Sequence, residues 1–318
     1  MKKIVISTLL ATTLLLANNN LNSNQTNSTS KIVESYEKLA SQGEIEAMFD
    51  LGLMYVTGDG VKQDYAKARE WFLKAVSKNN DTMSAYNLAL IYKNGLGVPK
   101  NDKEAYKYFL IAANKNYAQA QYMLGNMIEK GEGAKKDLKE AFSWFLKAAQ
   151  QGHILSEYRI GKMYRLGEGV AKSDTEAKKW YELSANKGNA FAQVNLGMMY
   201  KQGVATKQDY KEAFNWFEKS ANQKNVLGQL NLALMYQNGL GVEKDLKEAF
   251  KLYQLASDEG NSSSAQYNLG LMYLKGDGVE KDINKTIEYW TKSSEQGFEI
   301  ATKNLSILCK ETPSSCKK

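Results

Sequence analysis

Few side chains in this sequence could support catalysis, and they lie far apart along the chain. It contains one histidine, His153, and two cysteines, Cys309 and Cys316. Nucleophilic catalysis needs a serine or cysteine beside a general base, and nothing in the sequence pairs such a nucleophile with His153. We interpret His153 as a solvated loop residue. We therefore predict a protein that is not an enzyme and has no catalytic residue.

The patterns that could bind a metal or a phosphate have simpler explanations. Cys309 and Cys316 flank Pro313 and could close a small disulfide loop in an oxidising compartment. Two thiols are too few ligands for a structural zinc site. The chain's several Gly-x-Gly pairs lack the Lys-Ser/Thr of a phosphate-binding loop. We therefore predict no metal and no cofactor.

The Gly-x-Gly pairs instead mark an internal repeat of 36 or 37 residues. Each copy reads as two amphipathic helices joined by the glycine turn, a helical hairpin that cannot bury its apolar faces alone. The fifth copy keeps Gly203 but has Ala205 as its second residue. The other six pairs are Gly58/Gly60, Gly95/Gly97, Gly131/Gly133, Gly167/Gly169, Gly239/Gly241 and Gly276/Gly278.

Fixed positions within the copies predict the helix ends and the core. The second helix should begin after an N-cap residue, which is Asp64, Asn101, Asp137, Ser173, Asp209, Asp245 or Asp282. It should end at a left-handed residue, which is Asn79, Asn116, Gly152, Gly188, Gly260 or Gly297. Lys224 takes that place in the fifth copy, so we expect an irregular end there. A methionine recurs in most first helices, and we interpret it as core filling rather than a metal site.

Three stretches resemble a known family. The segments Asn195–Tyr200, Gly241–Asp245 and Ala141–Ala149 are similar to the Sel-1-like repeat, a relative of the tetratricopeptide repeat. The resemblance covers Glu46 to Phe298 in seven copies. It implies an all-α fold, a right-handed α-solenoid of stacked antiparallel helical hairpins.

The same resemblance implies a non-enzymatic scaffold for protein–protein interaction, in cell-envelope regulation, complex assembly or host contact. Cysteine-rich relatives are described as β-lactam or cell-wall hydrolases, and that alternative function stays open. The repeats of this chain have no cysteines at the corresponding positions, which argues against it. A structural envelope protein with no specific ligand is a third possibility.

The ends of the chain predict export and capping. Lys2 and Lys3 precede an apolar run, so we interpret residues 1–17 as a signal peptide, with an uncleaved anchor as the alternative. We then expect a disordered tether at 18–30, a capping helix at 31–43, the seven repeats at 44–298, and a C-terminal capping helix and tail at 299–318. The protein would be periplasmic or secreted.

The charge balance narrows the choice of partners. The formal net charge is +7, which is too small for a nucleic-acid-binding surface on a chain of 318 residues. We expect no nucleic acid, no integral membrane span and a monomer that binds a protein or an extended peptide, with an acidic segment in the partner.

Partner contacts should come from first-helix positions that packing leaves free to vary, since first helices line the concave side of such a stack. Asparagine amides there offer a donor and an acceptor to a peptide backbone, or they bond within the repeat instead. A group of basic residues should attract an acidic segment. The predicted partner-binding residues are Asn87, Arg159, Lys162, Arg165, Asn195, Lys201, Asn231 and Asn268.

Overall fold

The structure is a computed structural model that describes the backbone of residues 23–316 and the side chains of residues 31–316. Every regular element in this part of the chain is helical. The helices are α1 (Ser23–Gln42), α2 (Ile45–Thr57), α3 (Tyr65–Asn79), α4 (Thr82–Asn94), α5 (Asp102–Asn114), α6 (Ala118–Lys130), α7 (Leu138–Gln150), α8 (Ile154–Leu166), α9 (Asp174–Asn186), α10 (Ala190–Gln202), α11 (Tyr210–Ala221), α12 (Val226–Asn238), α13 (Leu246–Asp258), α14 (Ser263–Lys275), α15 (Ile283–Glu295), α16 (Glu299–Glu311) and α17 (Pro313–Cys316).

The chain divides into two compact units, one ending at Asp137 and the other beginning at Leu138. The first unit contains α1 to α6, and the second contains α7 to α17. Within each unit, every helix packs against the next one along the chain. Even-numbered helices from α2 to α14 are the first helices of the seven copies, and the odd-numbered helices that follow them are the second helices. The predicted all-α fold of consecutive helical hairpins is confirmed.

The turn inside each hairpin depends on left-handed backbone. In the first copy, Gly58 and Gly60 have φ of 79° and 71°. The chain then returns close to the first helix, and the backbone N–H of Asp64 donates to the carbonyl of Tyr55 at 2.9 Å. Ala205 adopts the same conformation with φ of 55°, although its Cβ is strained there. The fifth copy therefore keeps the turn at a cost in backbone energy.

Six of the seven predicted N-caps accept hydrogen bonds from the first turn of the helix that follows. The carboxylate of Asp64 accepts from the backbone N–H groups of Ala66 and Lys67. Each of these bonds satisfies a donor that the first helical turn leaves without an intrahelical partner. Asn101, Asp209 and Asp245 also accept two such bonds, whereas Ser173 and Asp282 accept one each.

The ends of the second helices differ from prediction at three positions. Lys224 has φ of 62°, so the fifth copy ends in the same left-handed conformation as its neighbours and is not irregular. In the first and sixth copies the left-handed residues are Asn80 and Asn261, one position after the predicted Asn79 and Gly260. These are the copies followed by a 37-residue spacing, so the extra residue lies at this junction.

In the first, fourth, fifth and seventh copies a glycine of the first helix faces an aromatic ring of the second helix, and this contact fixes how closely the two helices approach. A Cβ added to Gly197 would lie 2.7 Å from the ring of Phe217, closer than carbon atoms pack. The rings are almost fully buried, and so are most of the methionines beside them, including Met127, Met199 and Met235. The methionines are core residues, as predicted.

Consecutive copies in the second unit contact each other through a repeated ring pair. Phe142 packs edge-on against Tyr164 with ring centroids 5.4 Å apart, and Phe250 packs against Tyr273 at the same distance. Phe214 and Tyr236 make the equivalent pair at 5.3 Å. Between the fourth and fifth copies a lysine replaces the phenylalanine, and Lys178 Nζ lies 5.2 Å from the ring centroid of Tyr200.

Helices also cover the two ends of the repeats. At the N-terminal end, α1 begins at Ser23, eight residues before the predicted capping helix, so helix extends into the segment predicted as a tether. Serine, asparagine and threonine are weak helix formers, and here they extend a helix whose later residues pack on α2. At the other end α16 and α17 are joined by a disulfide between Cys309 and Cys316. The predicted signal peptide lies outside the described residues.

Candidate partner-binding surface

The candidate surface lies on the first helices of the second unit, α8, α10, α12 and α14, together with α16. These helices present equivalent positions at intervals of 36 or 37 residues. Side-chain contacts join neighbouring helices of this set at two places. Tyr158 on α8 lies against Phe191 on α10 with ring centroids 6.0 Å apart. On α16, the Asn304 amide donates to the Tyr267 hydroxyl of α14 at 2.9 Å.

The predicted asparagines of this surface bond to their own helices. The Nδ2 groups of Asn195 and Asn231 donate to the carbonyls of Phe191 and Leu227 at 2.8 Å, and that of Asn268 donates to the carbonyl of Ser264 at 3.0 Å. Each bond reaches back four residues. It takes one of the two amide hydrogens and fixes the orientation of the side chain.

Two of the asparagines have distinctive surroundings. Asn195 also shares a hydrogen bond with the side chain of Tyr158, and burial raises the pKa of that tyrosine above its ordinary value. Asn87 belongs to the first unit, where it is buried and its amide donates to the Met83 carbonyl at 2.8 Å. Asn87 is therefore less accessible to a partner than Asn195, Asn231 and Asn268, which are all half-buried.

The predicted basic residues have different environments. Arg165 pairs with Asp174 at 2.9 Å, so its charge is largely compensated within the copy. The guanidinium of Arg159 lies 5.4 Å from the ring centroid of Phe145. Lys162 lies on the same helix, α8, and Lys201 lies on α10. All four side chains are half-buried.

A row of exposed apolar side chains was not found from the sequence. Leu155, Phe191, Leu227 and Ile300 remain 43%, 51%, 49% and 52% exposed, at the same position of α8, α10, α12 and α16. Ser264 occupies that position on α14. We call these five residues the outer row. Each lies four residues before the asparagine position of its helix. The repeat alignment could have revealed the row, because it places these apolar residues at one position of successive copies.

A second row lies three residues beyond the asparagine position on the same helices. It consists of Lys162, Met198, Leu234, Leu271 and Ile307, which we call the inner row. Met198 and Leu234 are partly buried and contact the core, whereas Ile307 is 55% exposed. Between these two mostly apolar rows lies a third, which we call the asparagine row and which consists of Arg159, Asn195, Asn231, Asn268 and Asn304.

The structure places His153 differently from the solvated loop residue that was predicted. It is the N-cap of α8, and the backbone N–H of Ser156 donates to its Nδ1 at 3.3 Å. Burial lowers the pKa of His153 below its ordinary value. A capping role accounts for the imidazole without any catalytic function.

Sequence reasoning also missed a buried charge pair. The side chain of Glu157 on α8 is only 2% exposed and pairs with Lys187 at the end of α9. In the third, fifth and seventh copies glutamines occupy both positions, as in the 2.8 Å bond from Gln223 to Gln193. The glutamate and lysine replace an amide pair inside one copy, so their role is structural.

Within residues 31–316, no group of three or more histidine, cysteine, aspartate or glutamate side chains is arranged to hold a metal ion. In the same part of the chain no helix combines the length and the apolar character needed to cross a membrane.

Comparisons with known proteins agree with this geometry. The chain superposes with a TM-score of 0.80 on the crystal structure of c5321, a protective antigen of uropathogenic Escherichia coli with an SLR fold, at 34% identity. That match covers 91% of this chain but only 59% of the antigen, so this chain spans less than two thirds of its length. A Sel1 repeat protein from Oxalobacter formigenes matches with a TM-score of 0.73 at 26% identity, over 92% of this chain and 83% of that protein.

No curated protein matches the sequence. The family model for the Sel1 repeat, in contrast, matches seven successive segments: residues 45–80, 82–117, 118–153, 154–189, 190–225, 226–261 and 263–298. These segments cover the predicted copies in order and account for most of the chain. The chain therefore belongs to the Sel1 repeat family.

Proposed function

We propose that this chain is an exported, non-enzymatic scaffold that binds a protein partner through the first helices of its second unit. Sel1 repeat proteins generally mediate protein–protein interaction. The observation that carries the proposal is the outer row, whose large side chains stay about half exposed on neighbouring first helices. Isolated exposed apolar residues are ordinary, but a row of them at equivalent positions marks an interaction surface.

The basic residues indicate which end of the surface an acidic segment of the partner would contact. Arg159 and Lys162 on α8 occupy positions where α10, α12 and α14 have asparagine and an apolar residue. Neither has a capping role, and Lys162 makes no ion pair with the side chains of residues 31–316. An acidic segment of the partner would complement this end of the surface and would raise the rate of association.

Export rests on the N-terminal sequence alone, in which Lys2 and Lys3 precede an apolar run. We place the scaffold in the periplasm or outside the cell, in envelope regulation, complex assembly or host contact. Fractionation that finds the protein only in the cytoplasm, with Met1 intact, would contradict this location.

The test is a cross-linking pull-down from the native envelope with the full chain and two variants. Arg159→Glu together with Lys162→Glu should reduce capture of the partner at least about tenfold at low salt, since both positions would then repel an acidic segment. The matched control reverses two cations on second helices, Lys179→Glu and Lys251→Glu, and should leave capture unchanged. If the first variant captures the partner as well as the unmodified chain does, the binding surface lies elsewhere on the protein.

A further inference from the structure

A groove between α7 and the turn of the fourth copy contains none of the residues of the three rows. One wall is α7, and the other is the turn between α8 and α9. Its volume is about 720 Å³. We call it the α7 groove, and the side chains that line it are Lys139, Phe142, Ser143, Leu146, Val170 and Ala171.

Close packing of the turn on α7 fixes the shape of the groove. A Cβ added to Gly169 would lie 2.1 Å from the carbonyl oxygen of Leu138, so the backbone of the turn lies directly on the first turn of α7. The ring of Phe142 is held edge-on against Tyr164. Contacts within the fold therefore set both walls, and an occupant would enter a preorganised groove.

Two small residues open this groove, at positions where other junctions between copies have longer, charged side chains. The two positions are those of Ser143 on α7 and Ala171 in the turn that follows α8. Every other junction has a lysine or a glutamate at one or both of them, in the pairs Glu70/Pro99, Lys107/Lys135, Lys179/Lys207, Asn215/Glu243 and Lys251/Glu280. The repeat fold requires neither small residue, so their coincidence at one junction needs another reason.

The same junction has exposed apolar surface. Leu166 immediately precedes Gly167, which borders the groove, and it is 54% exposed. The other six copies have threonine, asparagine, lysine or glutamine at this position. In the groove itself, Phe142, Leu146 and Val170 are only partly buried. Water therefore contacts apolar side chains here that a partner could cover.

Two exposed lysines border the α7 groove. Lys139 lines it, and the Cβ of Lys172 would lie 3.4 Å from a Cβ added to Gly167 on the other wall. Ammonium groups at an open rim are complementary to a carboxylate in the occupant.

The acidic side chains that flank the groove in the sequence are bound within the fold. Glu140 accepts from Trp144 Nε1 at 3.3 Å, and Asp174 accepts from Arg165 at 2.9 Å. Neither of them lines the groove, and neither does Glu168 of the turn. The lysines are therefore the charged groups that an occupant would meet at this rim.

The form of the groove favours a polypeptide over a small molecule. Sites for small ligands enclose most of the ligand surface. The α7 groove has only two walls, and Lys139, Ser143 and Ala171 in its lining are exposed. An open apolar groove accepts a large side chain that protrudes from a protein, as anchor residues do at interfaces.

We infer that the α7 groove binds a segment of the partner in which one large apolar side chain enters the groove and a neighbouring carboxylate contacts Lys139 or Lys172. This inference rests on the proposed function, because the occupant belongs to a protein partner. It uses none of the residues of the first-helix surface, so the two can be tested separately.

The probe is the fluorescein-labelled peptide Gly-Ser-Asp-Leu-Phe-Asp-Ser-Gly, titrated with the full chain and followed by fluorescence anisotropy. One control peptide has Ser-Ser in place of Leu-Phe, and a second has lysine in place of both aspartates. The probe should bind at least about tenfold more tightly than either control. Equal binding of the probe and either control, or no binding of any of the three, overturns the inference.

Variants of the chain locate the peptide. Ser143→Lys with Ala171→Glu introduces the combination found at Lys251 and Glu280, fills the groove and leaves the net charge unchanged. It should weaken binding of the probe at least about tenfold. The matched control is Asn215→Lys, which creates the same combination opposite Glu243 and should bind like the unmodified chain. Equal binding by the unmodified chain and both variants, or equal losses in both variants, overturns the inference.

A third variant tests the charge at the rim. Lys139→Gln with Lys172→Gln should remove the preference for the probe over the lysine-containing peptide, while the preference over the Ser-Ser peptide remains. An unchanged preference for the acidic probe would show that these lysines do not contact its carboxylates, and the inference would be wrong. Circular dichroism should show unchanged helicity in every variant, because these lysines, Ser143 and Ala171 are exposed.

Capture of the native partner separates this inference from the proposed function. Phe191→Ser with Leu227→Ser removes two outer-row side chains, and it should lower capture in the cross-linking pull-down without changing binding of the probe. Ser143→Lys with Ala171→Glu should also lower capture. If only the outer-row variant loses capture, the first-helix surface stands and the α7 groove inference is overturned. If only the groove variant loses capture, the groove binds the partner and the first-helix surface does not.

Discussion

At the scale of single residues, departures from the repeat pattern are where this chain holds strain. Ala205 has φ of 55° at a position where the other copies have glycine. The left-handed region costs an alanine about 1 kcal/mol relative to glycine, although glycine loses more entropy on folding. The pattern of glycines identified the exception, but only the backbone angle shows that the turn was kept and that the alanine is strained.

Ala205→Gly should therefore raise the free energy of unfolding by about 0.5–1 kcal/mol, measured by chemical denaturation. The control is Ala171→Gly in the turn of the fourth copy, where the alanine does not have positive φ. That substitution only adds flexibility to the unfolded chain and should lower stability slightly. A gain of stability in the control equal to that of Ala205→Gly would contradict the explanation.

Removing one partner of the Glu157–Lys187 pair should lower the free energy of unfolding more than removing both partners. Lys187→Gln would leave a carboxylate that is 2% exposed without its cation, at a cost of about 3 kcal/mol. Adding Glu157→Gln recreates the glutamine pair seen between Gln223 and Gln193, so most of the stability should return.

A double-mutant cycle followed by urea unfolding measures this coupling. Glu248→Gln with Lys251→Gln is the control, because that ion pair is exposed and should show a coupling near zero. Additive effects at Glu157 and Lys187 would mean that the buried carboxylate finds another partner when the lysine is lost.

At the scale of helices, the contact between the fourth and fifth copies differs from the others in the second unit. Phe142, Phe214 and Phe250 pack edge-on against the tyrosine of the next copy, whereas Lys178 lies over Tyr200. Lys178 also pairs with Glu182 on its own helix. Burial lowers the pKa of Lys178, but the hydrogen bond and charge of Glu182 outweigh this and leave the pKa raised. The lysine is therefore held as a cation in a partly buried site.

Lys178→Phe should restore the ring pair and strengthen this junction. An edge-to-face pair contributes about 0.5–1.5 kcal/mol beyond area burial, and the partly exposed (i, i+4) ion pair that is lost contributes less. The measurement is the denaturation midpoint of the full chain, with Lys179→Phe as the control at a neighbouring exposed position. If the two phenylalanine variants melt alike, Tyr200 does not accept a ring at this junction.

At the scale of the whole molecule, the sequence predicted the helix order, the turns and the caps because each depends on residues close together in the chain. Asp64 and Gly58, for example, act on backbone within a few residues of themselves. The exposed outer row could not be predicted in the same way. Leu155 and Phe191 are as apolar as core residues, and only the packing of neighbouring helices shows that they stay about half exposed. The pairing of Arg165 with Asp174 could not be predicted from the sequence either, because it joins two helices across a turn.

Stability along a repeat array is a sum of local terms, since each copy contacts mainly its neighbours. The disulfide between Cys309 and Cys316 closes a short loop at the last helix, and such a loop is worth about 2.5 kcal/mol by its effect on chain entropy. Because α17 contacts α15 and α16, removing the bond should release the end of the chain rather than unfold the molecule.

Cys309→Ser with Cys316→Ser should therefore increase amide hydrogen exchange in α16 and α17 about tenfold or more, while exchange in α8 and α10 stays as it was. The same local change should follow when the unmodified chain is treated with dithiothreitol, whereas dithiothreitol should have no effect on the serine variant. An equal increase of hydrogen exchange in α8 would show that the C-terminal helices and α8 unfold together. The stability of this unit would then not be a sum of local contributions. Exchange confined to the last two helices would mean that redox changes in the tail affect Ile300 but leave the outer-row residues of α8, α10, α12 and α14 in place.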